Sequence, residues 1–319
     1  MRFLERRLLH GVLLLAGVSV LCFLFTDLAP GNFFDEMKLN PQISPETVAA
    51  LRAQYGMDRA LPVRYALWVR SVLRGEWGFS FAYNMPVRGL LAARAQNTLL
   101  LTGTATALAW LIAVPLGVWM AYRPGSWTDR LGMGTTSVLL ALPELVLVLA
   151  LLAFAVRTHA LPVGGMTSPS EGQGVWPRSL DLLAHLAIPA GTLVLAGLPL
   201  LIRHVRSAML DVLHAPFIQA ARGNGVAPAR VLFRFALPAA ANPLISLLGF
   251  SIGGLLGGSL LVEAVTGWPG LGPLLLEATM SRDLYIVIGT VMVSTFFLVA
   301  GNLLADALLV VFDPRVRTD

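Results

Sequence analysis

Six stretches of this sequence are long and apolar enough to span a bilayer, and they constrain the chain more than any motif does. They are Leu8–Thr26, Asn97–Tyr122, Leu131–Val156, Leu182–Ile202, Ala239–Val262 and Tyr285–Ala305. Lipid offers a peptide group no hydrogen-bond partner, so a spanning segment must be a helix or a strand of a closed barrel. A spanning helix needs about 20 residues and a barrel strand about 9–11, so these stretches are of helix length. Composition agrees: 56% of the residues are hydrophobic and 13% charged, against about 25% charged in an average soluble domain. The expected fold class is all-α, a polytopic membrane protein with six transmembrane helices.

The first stretch exceeds the 7–15-residue apolar core of a secretory signal and lacks a small-x-small cleavage site. It reads as an uncleaved membrane helix. The single cysteine, Cys22, lies within it and excludes an internal disulfide. The net charge of +5 does not indicate nucleic acid, because the arginines flank apolar runs instead of forming one soluble basic face. Basic residues in short loops instead set orientation. Twelve arginines (2, 6, 7, 123, 130, 203, 206, 222, 230, 234, 315 and 317) fall on one side, and three (157, 178 and 282) in the short loops of the other. The side with twelve is expected to be cytoplasmic, with both termini.

The expected organisation is a membrane helix over 1–28, an external helical segment over 29–96, a five-helix core over 97–312 and a cytoplasmic tail over 313–319. In the external segment, "SPETVAALRAQYGM" reads as a helix with Ser44 or its neighbour as cap, Pro45 in the first turn and Val48, Leu51 and Tyr55 on one face. It forms either a cap on the membrane surface or a docking site for an external partner.

Within the core, residues 206–238 interrupt the apolar sequence. "QAARGNGVAPARVLFRFALP", residues 219–238, carries three arginines, two glycines, two prolines and no acid. Pro216 suits the first turn of a helix, and Gly223 or Gly225 suits its end. Phe217, Ala220 and Ala221 share a face, one large knob beside two small residues. A second helical start follows at Pro228 and runs through Val231, Leu232 and Phe235 to Leu237 and Pro238. Two readings stand: a lever between the membrane core and a soluble partner, or a basic loop that fixes topology.

The segment resembles the EAA loop of ATP-binding cassette importer permeases. In that pattern E-A-A is followed by three residues, Gly, nine residues, an aliphatic, one residue and Leu-Pro. The chain has Gln219-Ala220-Ala221, Gly225, Phe235 and Leu237-Pro238 at that spacing, with Gln219 replacing the acid and Phe235 the aliphatic. "YGMDRALPVRYALWVRSVLRGEWGFS", "SIGGLLGGSLLVEAVTGWPGLGPLLLEA" and "NLLADALLVVFDPRVR" resemble the external segment, the fifth span with its Trp-Pro-Gly turn, and the C-terminus of the dipeptide, oligopeptide and nickel permeases. The resemblance implies a type I importer permease fold, a coupling loop seated on an ATPase, and transport by alternating access. It also implies three kinds of partner: a second homologous permease, two cytoplasmic ATPase subunits that bind ATP and Mg, and an external substrate-binding protein. The chain itself would be no enzyme and hold no cofactor. Its only lysine is Lys38, outside any Gly-x-x-x-x-Gly-Lys-Ser/Thr pattern, so a P-loop of its own is excluded. Whether the cargo is a dipeptide, an oligopeptide or a nickel complex stays open.

Two further features stand out. Gly249, Gly253, Gly254, Gly257 and Gly258 lay small residues along one side of a helix, either for close helix packing or along the path. Glu144, after Pro143, is the only carboxylate in a span; it is a candidate polar site for a substrate amine or metal, or a group bonded within the protein. The five histidines show no metal-ligand spacing, and no hydrolase motif is present. The rival function is an ion-gradient-driven transporter using Glu144; a scaffold subunit is a third.

Overall fold

The apolar stretches fold as helices, most of them longer than the windows that announced them. The computed structural model describes residues 2–28, 31, 33–37, 44–54, 56–168 and 174–312. Long helices are α1 (Arg2–Leu28), α5 (Val87–Tyr122), α8 (Val175–Leu213), α12 (Ala241–Thr266) and α14 (Leu284–Phe312). Between the first two lie α2 (Phe33–Met37), α3 (Pro45–Gln54), α4 (Leu61–Leu73) and a small antiparallel hairpin of β1 (Phe79–Ser80) and β2 (Met85–Pro86). The others are α6 (Trp127–Ala141), α7 (Glu144–Thr158), α9 (Pro216–Gly223), α10 (Pro228–Arg230), a π-helical turn at Val231–Ala236, α11 (Leu237–Ala239) and α13 (Leu271–Met280). The expected tail 313–319, with Arg315 and Arg317, and also Tyr55 and Lys38, lie outside the described residues.

The expectation of one straight helix over Leu131–Val156 is corrected. The stretch is two helices, α6 and α7, set at 99° to one another. Leu142 is extended and Pro143 caps α7, because a residue before proline is driven out of the helical region. Helix α5 starts at Val87, ten residues before the apolar window and inside the segment expected to be external. Among the described residues four helices are long and apolar enough to cross a membrane, and up to seven spans result if each bent pair is one.

Two compact units divide the chain. One comprises Met1–Leu8, Leu99–Trp268 and Leu298–Asp319. Its core has a seam of Leu101, Ala105, Ala109 and Ala113, all fully buried, spaced one turn apart on α5. Small residues at that spacing let helices approach closely. Trp110 Nε1 donates to Ser251 Oγ of α12 at 2.9 Å, and a Cβ added at Gly117 would lie 2.7 Å from Val205 of α8.

The other unit comprises Leu9–Thr98 and Pro269–Phe297. Phe23 of α1 packs edge-on to Tyr65 and tilted to Trp68 of α4, both at 5.4 Å, and the Tyr65 hydroxyl lies 2.8 Å from Ser19 Oγ. Buried Asp283 fastens the hairpin region, accepting from Ser80 Oγ at 2.8 Å and from the Ala82 amide at 3.1 Å. Ser44 Oγ accepts from the Thr47 amide at 3.2 Å, so α3 has the expected cap. Val48 is buried. Tyr83 is held by Glu277; burial and that bond push its phenol up to about 12, so it stays a donor.

The glycines of α12 divide in role. Gly249 faces Ala305 of α14, and a Cβ there would sit 2.5 Å from the alanine's own. Gly253 faces Leu298, and Gly301 of α14 in turn receives Ile252. Gly254 and Gly257 have nothing within 4 Å of an added Cβ. Gly249→Leu is therefore expected to force α12 and α14 apart and to destabilise the chain by about 1–3 kcal/mol. The measurement is thermal unfolding in detergent, with partial recovery expected in Gly249→Leu combined with Ala305→Gly. Gly254→Leu, by contrast, should leave the chain's own unfolding temperature unchanged.

Candidate functional site

The segment that resembles the EAA loop begins where α8 ends. His214 closes α8, Ala215 is extended, and Pro216 takes the first position of α9, where its missing N–H is no loss. Ile218 is the buried residue of α9, set in a cluster with Val205, Met209 and Leu213 of α8, Ala121 of α5, Val231 and Ala236. Burying a side chain of that size contributes roughly 1.5–3 kcal/mol, so Ile218 anchors the short helix. Phe217 is 50% exposed, and Gln219 and Ala220 are exposed. Ala221, expected to share the open face with Phe217 and Ala220, instead packs against the same cluster as Ile218, three residues before it. The result is a helix held from behind by Ile218 and Ala221, with Phe217, Gln219 and Ala220 left open.

The end of α9 is a glycine turn. The amides of Asn224, Gly225 and Val226 donate to the carbonyls of Ala220, Arg222 and Ala221 at 2.9, 3.0 and 3.1 Å. Gly225 has φ +74°, a left-handed conformation that other L-residues adopt at a cost. Space does not restrict it, since nothing lies within 4 Å of an added Cβ; the backbone conformation alone selects glycine. After α10 the chain widens into the π-helical turn, whose Val231 and Ala236 are buried while Phe233 and Phe235 are exposed. Leu237 is half-buried and Pro238 exposed. The segment then bends by 56° into α12.

Gln219 has a bond that an acid could not make: its Nε2 donates to the His214 carbonyl at 3.1 Å. A carboxylate has only acceptors. The glutamine thus closes the corner between α8 and α9 from within the chain.

Two arginines that the sequence suggested only as topology markers hold α8 to α6. Arg206 donates in fork geometry to Asp129, Nε to Oδ1 at 2.6 Å and Nη2 to Oδ2 at 2.8 Å. Asp129 is buried and also accepts from the Gly125 amide at 2.8 Å. One turn away, Arg203 donates to Thr136 Oγ1 at 3.1 Å and Ser137 Oγ at 2.6 Å. The signals were present: Ser126-x-x-Asp129 is a capping pattern, and Arg203 and Arg206 are three apart on one helix face.

Glu144 lies at the first position of α7, half-buried, beside Gly258 of α12. A Cβ on Gly258 would come within 3.1 and 3.2 Å of its two carboxylate oxygens. The histidines are occupied locally: Nδ1 of His185, His204 and His214 each lies 2.7–2.8 Å from the carbonyl four residues back. Among the described residues no three His, Cys, Asp or Glu side chains lie together as a metal site.

The site is thus a short glycine-ended helix seated on a bundle of apolar helices by Ile218, with Phe217 exposed beside it. Residues 113–318 match the family described as "Binding-protein-dependent transport system inner membrane component", and residues 1–102 match the corresponding N-terminal family. The chain belongs to this family. It is a multi-pass membrane protein and a permease subunit of an ATP-driven ABC importer; its role is transport, not catalysis. A putative peptide permease protein of Brucella ovis is 35% identical over 99% of both chains. The oligopeptide transport system permease protein AppB of Bacillus subtilis is 34% identical, and the dipeptide transport system permease protein DppB of Escherichia coli 31%, again over 99% of each. A MetNI methionine ABC transporter chain in an inward-facing conformation superposes with a TM-score of 0.52 at 19% identity, covering 68% of this chain and 95% of that one. The type I importer permease fold is thus the fold of this chain.

The fork between Arg206 and Asp129 leads to a testable expectation. Arg206→Met leaves a buried carboxylate without its cation and is expected to cost on the order of 3 kcal/mol. Arg206→Met with Asp129→Leu should recover much of that loss. Unfolding midpoints of the two variants in detergent check the order.

Proposed function

We propose that the chain forms half of the translocation path of a peptide importer. It pairs with a second, homologous permease, with two cytoplasmic ATPase subunits below and an external substrate-binding protein above. ATP and Mg are bound by the ATPases, and this chain holds no cofactor of its own. We read six spans, with α6 and α7 together as one, and both termini on the cytoplasmic side. The basic residues at 203–234 support that orientation, since cytoplasmic loops carry the excess of arginine. Peptide cargo is supported by the names of full-length relatives in several bacteria, which are peptide, oligopeptide and dipeptide permeases.

One observation carries the coupling role: Ile218 is buried and Phe217, next to it, is half exposed. A helix so anchored presents a fixed aromatic knob to a partner, with Gln219 and Ala220 around it and Ala221, Gly225, Leu237 and Pro238 setting the geometry behind. Closure of the ATPases on ATP would move α9, and α9 would move α8. The arginines of α8 would carry the motion to α6, and the path would open outward to the binding protein.

The test uses the assembled complex in proteoliposomes. Phe217→Ala should weaken ATPase capture by about 30-fold, as for truncating an interface anchor worth ~2 kcal/mol. Gly225→Leu should reduce substrate-stimulated ATP hydrolysis at least tenfold with the membrane part still folded. Leu73→Ala, at an exposed position far along the chain from α9, is the control for ATPase capture and should leave it unchanged. Unaltered ATPase capture in Phe217→Ala together with unaltered stimulation in Gly225→Leu would sink the reading.

A further inference from the structure

The carboxylate of Glu144 lies where a membrane protein tolerates one poorly, and three observations bear on why it is there. The first is the backbone. The apolar stretch breaks at Leu142–Pro143 and turns through 99°. Non-helical backbone at membrane depth is tolerated only where protein covers it or where it lines a water-filled cavity. The second is the side chain. Among the described residues Glu144 takes no hydrogen bond and no ion pair, and it is half-buried, so protein does not cover it fully. An ionisable group left this way in a span marks a path or a ligand. The third is the neighbouring helix. Gly258 has no side chain where the carboxylate needs room, and among the described residues nothing lies within 4 Å of a Cβ added at Gly254 or Gly257. The carboxylate therefore stands beside glycines of α12 that no described side chain covers.

We infer that Glu144 receives the primary ammonium group of the cargo as it passes along these glycines of α12. The inference rests on the peptide-import reading and names the part of the peptide that the permease itself recognises. An ammonium has three donors and a full charge, and a carboxylate accepts them in charge-assisted bonds. The contact discriminates, because a cargo without that cation leaves the half-buried carboxylate unpaired. The break supplies the geometry: it puts the acid at the start of a helix, directly after a 99° bend. Gly258 leaves the carboxylate room, so Gly258→Ala is expected to push it aside and act in the same direction as loss of the acid.

The experiment uses the full complex with its binding protein in proteoliposomes. The probe is a tripeptide with a free N-terminus and a dye on its C-terminus. Uptake is measured at saturating loaded binding protein, so the permease step limits. Glu144→Gln is expected to lower the maximal rate about tenfold or more, the range for a bond to a charged group. Glu144→Asp should restore part of it. A second readout does not depend on rate. With vanadate arresting the complex and a carbodiimide added, the activated Glu144 carboxyl forms an amide with the peptide amine, the carbodiimide leaving as its urea. Dye on this chain at Glu144 by peptide mapping, absent in Glu144→Gln, is the expected result. Three outcomes would overturn the inference: wild-type uptake in Glu144→Gln, unlabelled Glu144 while uptake proceeds, or loss of the second permease from the Glu144→Gln complex. The last would assign the carboxylate to assembly. A wild-type complex that takes up no peptide fails the import reading itself and is told apart by that control.

Discussion

Every other feature of this chain depends on one constraint: in hydrocarbon, a backbone N–H or C=O that finds no partner has no water to replace it. That requirement makes the apolar stretches helices and pushes α5, α8 and α14 past the hydrophobic windows, since a helix that continues satisfies its end groups better than one that stops in lipid. It also gives meaning to the exceptions. Pro115, Pro189 and Pro199 lie within continuous helices. At Pro143 the helix ends and a new one starts. Where the rule is broken the chain must offer something in exchange, and it is there that a carboxylate meets a glycine.

Packing inside the bundle follows from the same solvent. Lipid gives apolar side chains no drive to leave it, so helices hold together through close contact and polar pairs. The alanine seam of α5, Gly249 against Ala305 and the Trp110–Ser251 bond are of this kind. The Arg206–Asp129 fork belongs to the same class but ties chain segments 77 residues apart. It ties the first turn of α6 to α8, seven residues before α8 ends.

Much of this was legible in the sequence, and the parts that were not share a cause. The spans, the helix at Pro216, the turn at Gly225 and the second start at Pro228 are local, written in hydropathy and in proline and glycine placement. The break at Pro143 was half legible: a proline followed by Glu144 is a helix-start signal, but the apolar window around it hid the signal. The division of glycines was not legible, because spacing alone cannot say that Gly249 and Gly253 meet α14 while Gly254 and Gly257 meet nothing. Nor was the grouping of 269–297 with 9–98, or the pairing of Asp129 with Arg206. These are facts of tertiary distance. Ile218 was passed over because Phe217, Ala220 and Ala221 form the more regular pattern in the sequence, although Ala221 turns out to pack with Ile218.

The length of α8 has a further consequence. Its apolar window ends at Ile202 but the helix runs on to Leu213, eleven residues that at 1.5 Å each extend about 16 Å. Helix α9 is therefore mounted about three turns beyond the last residue of that window, and a displacement of α9 reaches Arg206 along one unbroken helix.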